Sequence, residues 1–263
     1  MIAARYHFQD VTLLITHYNR NRSLEALLKS FRSLNCTFDD IVVADDGSKP
    51  EILERVKGLQ QKYSFNLITS SQNKGLANNL NKGQQAVKTT YTLYVQEDFI
   101  AKSAFPDNFK RALQIITTDK SIDTIRFYSY FPYPHTESYD EVYDEMIFKP
   151  SFLKWSHLKF YVYSDHPHLR LSSFNEKFGT YPEGIHSDKA EFDMSLSFIK
   201  KGGKGLLAKN YTENFDQINS TIEPSTISRQ AWKEKNTFLI NSLKEGFYIY
   251  RYIKNTIQLL FKK

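Results

Sequence analysis

Four acidic residues stand where two apolar runs end. Asp45-Asp46-Gly47-Ser48 follows Asp40-Ile41-Val42-Val43-Ala44, and Gln96-Glu97-Asp98 follows Tyr91-Thr92-Leu93-Tyr94-Val95. A carboxylate accepts a hydrogen bond from a pyrimidine imide or a ribose hydroxyl. It also binds Mg²⁺ and Mn²⁺, hard ions that prefer oxygen ligands. In open α/β sheets, ligands settle at the carboxyl edge of the strands. Asp-Gly-Ser alone is an ordinary turn. Two acidic strand ends, joined by Thr16-His17-Tyr18-Asn19-Arg20 closing an earlier apolar run, make a stronger pattern. Together they call for a nucleotide held with a divalent cation.

The elements that must position these groups alternate along the chain. Val11 to Thr16 is a short β-branched run that predicts a buried strand. Ser23 is a good N-cap for a helix carrying Leu24, Leu27, Leu28 and Phe31 at helical spacing. Ile41 to Ala44 reads as the next strand, and Pro50 opens a helix with Ile52, Leu53, Val56 and Leu59. Phe65 to Thr69, a helix over Ala77 to Val87, and Tyr91 to Val95 complete the series. Strands alternating with helices imply a parallel sheet with right-handed crossovers.

Beyond Asp98 the alternation weakens. A helix is expected over Asp107 to Thr117, a strand over Thr124 to Tyr130, a helix over Lys189 to Lys200 and a last strand at Gly205 to Ala208. The tyrosine-rich stretch 128–163 predicts loops and irregular strands over a groove. Leu243, Phe247, Tyr250, Ile253, Ile257, Leu260 and Phe261 form an apolar stripe at helical spacing, flanked by Lys244, Arg251 and Lys262. That pairing of aromatics with cations suits a helix lying on an anionic membrane surface. Packing on the domain, or against a second copy, is the plainer alternative.

Several function classes drop out. The single cysteine, Cys36, excludes a disulfide framework within the chain and any Cys-based zinc site. His166 and His168 flank Pro167 with no third ligand evident, so a zinc site there is not expected. Lys201-Gly202-Gly203-Lys204-Gly205 follows a helix and is not a P-loop. The net charge of +6 favours an anionic partner, yet the cations are scattered and no nucleic-acid-binding module is present. Asp-Asp-Gly-Ser has the shape of a haloacid-dehalogenase loop, but Ala44 stands where its nucleophilic Asp is required. Met1 to Asp10 lacks the apolar core of a signal peptide, so a cytoplasmic location, peripheral on the inner membrane face, is expected.

Thr16-x-Tyr18-Asn19-Arg20, Ala44-Asp45-Asp46-Gly47-Ser48, Asn73-Lys74-Gly75-Leu76 and Tyr94-Val95-Gln96-Glu97-Asp98 occur in an order and spacing that resembles a family 2 glycosyltransferase. The resemblance covers about residues 10–101, with a weaker echo near 183–203. It implies the GT-A fold, a Rossmann-like, mostly parallel α/β sheet flanked by helices, with a C-terminal amphipathic helical extension. The domain would occupy residues 1–225, its nucleotide half about 10–101 and its acceptor half about 102–225, with a helical segment over 226–263.

What the resemblance implies for function is an inverting transfer from a UDP- or dTDP-sugar to an acceptor hydroxyl, in surface polysaccharide or glycolipid assembly. The acceptor would be a saccharide or a lipid-linked saccharide. Thr16 and Tyr18 would line the base pocket, Asp46 would take the imide hydrogen and Asp45 would support it. Arg20, Asn73, Gly75, Asn79 and Glu97 would complete the donor site. Asp98 falls on the last Asp of the metal-binding motif and would hold Mn²⁺ or Mg²⁺. Gln96 departs from that motif's first Asp, which puts the strength of metal binding in question. Glu191 occupies the general-base position, with Asp193 and Asp188 as rivals and Ala190 replacing the preceding acid. These departures leave a second possibility, a homologue that binds sugar nucleotides without turning them over.

Overall fold

The computed structural model describes residues 5–150, 156–218 and 238–261, with side chains of the last helix described from Gly246 onward. Its first half alternates β1 (Tyr6–His17), α1 (Asn21–Ser33), β2 (Cys36–Asp45), α2 (Pro50–Tyr63), β3 (Asn66–Thr69), α3 (Leu76–Ala86) and β4 (Tyr91–Gln96). These strands pair in parallel in the order β3-β2-β1-β4. The reason lies in the side-chain alternation of β1. Leu13 and Ile15 point into a core with Leu24, Leu27 and Phe31 of α1, whereas Leu14 points to the opposite core with Leu80 of α3. A strand buried on both faces reads as a continuous apolar run, as Val11 to Ile15 does.

The second half extends the sheet and then closes over it. β5 (Phe99–Ala101), α4 (Phe105–Thr118), β6 (Thr124–Arg126), β7 (Thr136–Ser138) and β8 (Tyr143–Met146) precede a 3₁₀ turn at His157–Phe160. β9 (His168–Leu171), α5 (Phe174–Phe178), α6 (Ser187–Lys200), β10 (Gly205–Ala208), β11 (Phe215–Gln217) and α7 (Phe238–Phe261) follow. The nine-stranded sheet runs β3-β2-β1-β4-β9-β6-β10-β8-β7. β9 is antiparallel to both β4 and β6, with Tyr94 and Arg126 opposite His168.

β5, β9 and β11 lie outside the sequence expectation. His168 and Arg170 stand where a core strand would carry apolar side chains, so β9 has no readable pattern, yet both are fully buried. Arg170 donates to the Tyr163 hydroxyl at 2.9 Å and to Gln84 Oε1 at 2.8 Å, and its guanidinium lies over the Phe174 ring. β11 follows the expected last strand and pairs antiparallel with β5. Its polar three residues carry one anchor, Phe215, whose ring centroid lies 5.0 Å from that of Phe105. The expected boundary at residue 225 lies outside the described residues.

The turn after β2 is closed by contact as well as by hydrogen bonds. Gly47 has φ +71°, and a Cβ there would lie 2.4 Å from the Gln72 carbonyl carbon. Gly47→Ala therefore incurs left-handed strain together with a backbone clash. It should destabilise the protein by at least about 2 kcal/mol in chemical denaturation. A loss below about 0.5 kcal/mol would show that the turn relaxes freely.

Candidate active site

The parallel registers bring the acidic strand ends to one level. His17 lies opposite Asp45 and Thr16 opposite Gln96, so β2 and β4 end side by side with β1 between them. Two strand spacings separate their ends, about 10 Å. Asp45 is fully buried and works inward: it bonds His17 Nδ1 at 2.8 Å, accepts the Ser48 amide at 3.0 Å and accepts the Ser48 hydroxyl. Burial alone would raise its pKa, but these bonds outweigh that and hold it below the ordinary carboxylate value.

Asp46 faces the next loop. Its two oxygens accept the backbone amides of Lys74 at 2.9 Å and Gly75 at 2.8 Å, tying the Asn73–Gly75 loop to the end of β2. Each carboxylate oxygen keeps a further lone pair for a ligand. Asn73 Oδ1 accepts the same Gly75 amide at 3.0 Å. Asn79 lies below this edge, 2% exposed, and gives its amide to the Ala44 carbonyl at 2.7 Å. Its place is that of a brace between strand and helix. Thr16 is buried and bonds the Tyr94 hydroxyl at 3.0 Å, while Tyr18 is half-buried at the edge itself.

The end of β4 holds a cation among its acids. Arg20 Nη1 lies 3.2 Å from Asp98 Oδ2 and 3.6 Å from Glu97 Oε1. Gln217 of β11 donates to the same Asp98 oxygen at 3.1 Å. Asp98 Oδ1 is buried with no partner among the described residues. Among those residues no cluster of three His, Cys, Asp or Glu side chains exists that could hold a metal alone. The donor set therefore fits a cation taking one oxygen from Asp98 and the rest of its shell from ligand phosphates and water, as Mg²⁺ commonly does. Gln96 points elsewhere: its amide reaches the Asp165 carbonyl at 3.5 Å, a bond that an Asp side chain could not donate.

That contact leads to the second acidic pair. Because β9 runs antiparallel beside β4, the Ser164–Pro167 segment before it arrives at the same sheet edge. Glu191, on the first turns of α6, accepts the Ser164 hydroxyl at 2.7 Å and the Asp165 amide at 3.1 Å. Burial, reinforced by the adjoining Glu191 carboxyl, pushes Asp165 well above the usual carboxylate range. Asp165 thus supplies the second acid that Ala190 does not. It escapes sequence pattern because it lies 26 positions from its partner. The rivals are placed differently: Asp193 is bonded by Lys189 at 2.8 Å, and Asp188 is exposed beside His186.

Glu191 opens onto a groove of about 470 Å³. Tyr130, Phe131, Tyr133 and Tyr161 line it, and α7 closes one wall with Phe247, Tyr248 and Arg251. Tyr130 also donates its hydroxyl to Gln217, so one side chain links this groove to the residue that holds Asp98. His166 packs edge-on against Tyr130 with ring centroids 4.5 Å apart. His168 is buried, which pushes its pKa well below the ordinary value, and it bonds Tyr163. Both histidines pack against aromatic rings.

Residues 12–178 match the family model described as Glycosyl transferase family 2. A cholesterol galactosyltransferase of Borreliella burgdorferi is 28% identical over 125 residues, which is 48% of this chain and 34% of that protein. A poly-beta-1,6-N-acetyl-D-glucosamine synthase of Staphylococcus aureus is 26% identical over 106 residues, 39% of this chain and 26% of the relative. The matches thus span about a third or less of these relatives' length. Among solved structures, S. aureus TarS 1–349 in complex with UDP-GlcNAc superposes with TM-score 0.60 at 16% identity, covering 83% of this chain and 62% of that one. The mannosyltransferase PcManGT from Pyrobaculum calidifontis, in complex with GDP-Man and Mn²⁺, gives TM-score 0.52 at 12% identity, over 97% and 65% of the two chains. At such identities the likeness is one of fold.

The acid pair gives a pH signature. Asp165 has a folded-state pKa above its unfolded one, so its contribution to stability is intact below about pH 4. That contribution is lost as pH rises through the raised value. Urea denaturation should show the wild type losing stability across this window by up to about 1.4 kcal/mol per pH unit. Asp165→Asn should flatten that slope. The same slope in both proteins would assign the titration elsewhere.

Proposed function

The chain belongs to glycosyl transferase family 2, and on that premise we propose that it transfers a sugar from a UDP- or dTDP-sugar to a hydroxyl of a saccharide or lipid-linked saccharide, with inversion at C1. The observation that carries this proposal is the arrival of three separate segments at one sheet edge. Asp46 with its bound 73–75 loop stands on one side of β1, Glu97 and Asp98 on the other, and Glu191 of α6 beside them, bonded to the 164–167 segment.

The base of the donor would bond Asp46 through its imide hydrogen and lie against Tyr18. Its diphosphate would reach the Arg20, Glu97 and Asp98 group. Mn²⁺ or Mg²⁺ on Asp98, when bound, would act as a Lewis acid on the charge that builds on the departing diphosphate. Glu191 takes the proton from the acceptor hydroxyl as its oxygen bonds C1 and the bond from C1 to the diphosphate oxygen breaks. Ser164 and the Asp165 amide hold that carboxylate in place, and burial beside it favours the neutral form of Asp165.

α7 supports a membrane-facing role. Ile249, Tyr250, Ile253, Ile257, Leu260 and Phe261 are exposed at helical spacing on its outer side. No helix among the described residues is long and apolar enough to cross a membrane. We place the enzyme on the cytoplasmic face of the cell membrane, with α7 in the interface.

Two experiments test these assignments. In a thermal-shift series of nucleotide diphosphates and their sugars, the true donor should stabilise the protein by about 2.7 kcal/mol at a hundredfold excess over Kd. Mn²⁺ should enhance the shift, and Asp98→Asn should abolish the enhancement. Glu191→Gln should keep the shift while slowing transfer by about 10²–10⁴-fold. Turnover unchanged in that variant rejects the base, and donor binding without any transfer would mark a non-catalytic homologue. On the membrane side, Ile253→Ser with Ile257→Ser should release the protein from phosphatidylglycerol vesicles. Undiminished retention removes the interfacial role of α7.

A further inference from the structure

The groove in front of Glu191 contains two guanidinium groups that its family role does not call for. Arg126 ends β6 and is 3% exposed. Its Nη1 donates to the backbone carbonyls of Tyr161 at 2.9 Å and Val162 at 3.5 Å, and its Nε has no partner among the described residues. Arg251 arrives from α7 and donates through Nη2 to the Tyr161 hydroxyl at 2.6 Å. Tyr161 therefore sits between the two, its carbonyl on one and its hydroxyl on the other. The Arg251 guanidinium lies over the rings of Tyr161 and Phe247 at 6.0 and 5.8 Å.

Among the described residues, no carboxylate approaches either guanidinium within 4.0 Å. Two other arginines show the contrast, whereas the buried Arg170 bonds neutral partners. Arg20 pairs with Asp98 and Glu97, and Arg111 with Asp140. Glu191 attracts Arg126 electrostatically across the groove without contact. A charge removed from water without a counter-charge is costly. A guanidinium fork matches the oxygens of a phosphate or carboxylate, and its planar form survives stacking on aromatic rings. His157 does not add to the cations: burial and the neighbouring Arg251 lower its pKa to about 4, leaving it neutral near pH 7.

We propose that Arg126 and Arg251 form an anion subsite in the acceptor groove, and that the acceptor is a saccharide bearing a phosphate or carboxylate group. This deepens the transferase assignment and rests on it for the meaning of the groove. The aromatic lining supplies the second half of the argument. Tyr130 and Tyr133 present ring surface of the kind that packs on the apolar face of a sugar, beside the two cations. A lone phosphate would satisfy the arginines and leave that surface unused. An anionic sugar uses both. The subsite also depends on α7: one of its two cations comes from a helix that follows the sheet domain in the chain.

The test uses the full chain with soluble probes, titrated by NMR. Glucose 6-phosphate and glucuronate should bind at least about tenfold more tightly than glucose, as expected for charge-assisted bonds to a guanidinium. Arg251→Gln should remove most of that preference while leaving UDP affinity unchanged, and Arg251→Lys should restore part of it. Arg126→Gln should act in the same direction, with circular dichroism confirming its fold. Equal binding of the three sugars, or a preference surviving in Arg251→Gln, overturns the subsite. Glycerol 3-phosphate binding as tightly as glucose 6-phosphate overturns the saccharide assignment. UDP and dTDP are titrated separately: binding of neither with the anion preference intact would sink the transferase proposal alone, and normal binding of either without the preference would sink this one alone.

Discussion

The pairing of β1 with β2 on one side and β4 on the other sets the height of every acidic group at the sheet edge. A shift of one residue in either pairing would turn the acids to the opposite face and exchange core for solvent along the whole strand. Burial on both faces prevents that shift, since Leu13, Leu14 and Ile15 each fill a packed position. The site therefore inherits its geometry from the core. Asp45 adds a local lock, because its bonds to His17 and Ser48 join the two strand ends directly.

Four carboxylates near this edge have been given different tasks by their surroundings. Asp45 is buried but surrounded by donors, and stays ionised. Asp165 is buried next to another carboxyl, which raises its pKa. Asp98 shares one oxygen with Arg20 and Gln217 and keeps the other unpaired. Glu191 is fixed by Ser164 and a backbone amide at the mouth of a groove. Pairs of acids whose environments separate their proton affinities are how one site can divide positioning from proton transfer.

Helix α7 serves two surfaces at once. Its inner side carries the buried Tyr252 and Asn255 and closes the groove with Arg251, and its outer side leaves a row of apolar residues exposed. Tyr252 packs on Phe160 and bonds Lys159, which anchors the helix to the 3₁₀ turn below it. A ligand in the groove would touch the same helix that presents this row outward.

Sequence alone determined the four parallel strands, their helices and the acidic ends of β2 and β4. Those features are local: period-two and period-3.6 patterns, a Pro at a helix start, an Asp-Gly-Ser turn. It also singled out Glu191, through a helix start set in a recognisable order of motifs. Tertiary structure alone decided how Asp165, Gln217, Arg126 and Arg251 join that set. Asp165 reaches Glu191 because β9 runs antiparallel beside β4, and Gln217 reaches Asp98 because Phe215 is anchored under β5. Asn79, expected in the donor site, lies beneath the strand ends with its amide on a backbone carbonyl. Contacts across tens of residues carry no periodic signal along the chain. They arise from strand order and packing, which exist only once the sheet has formed.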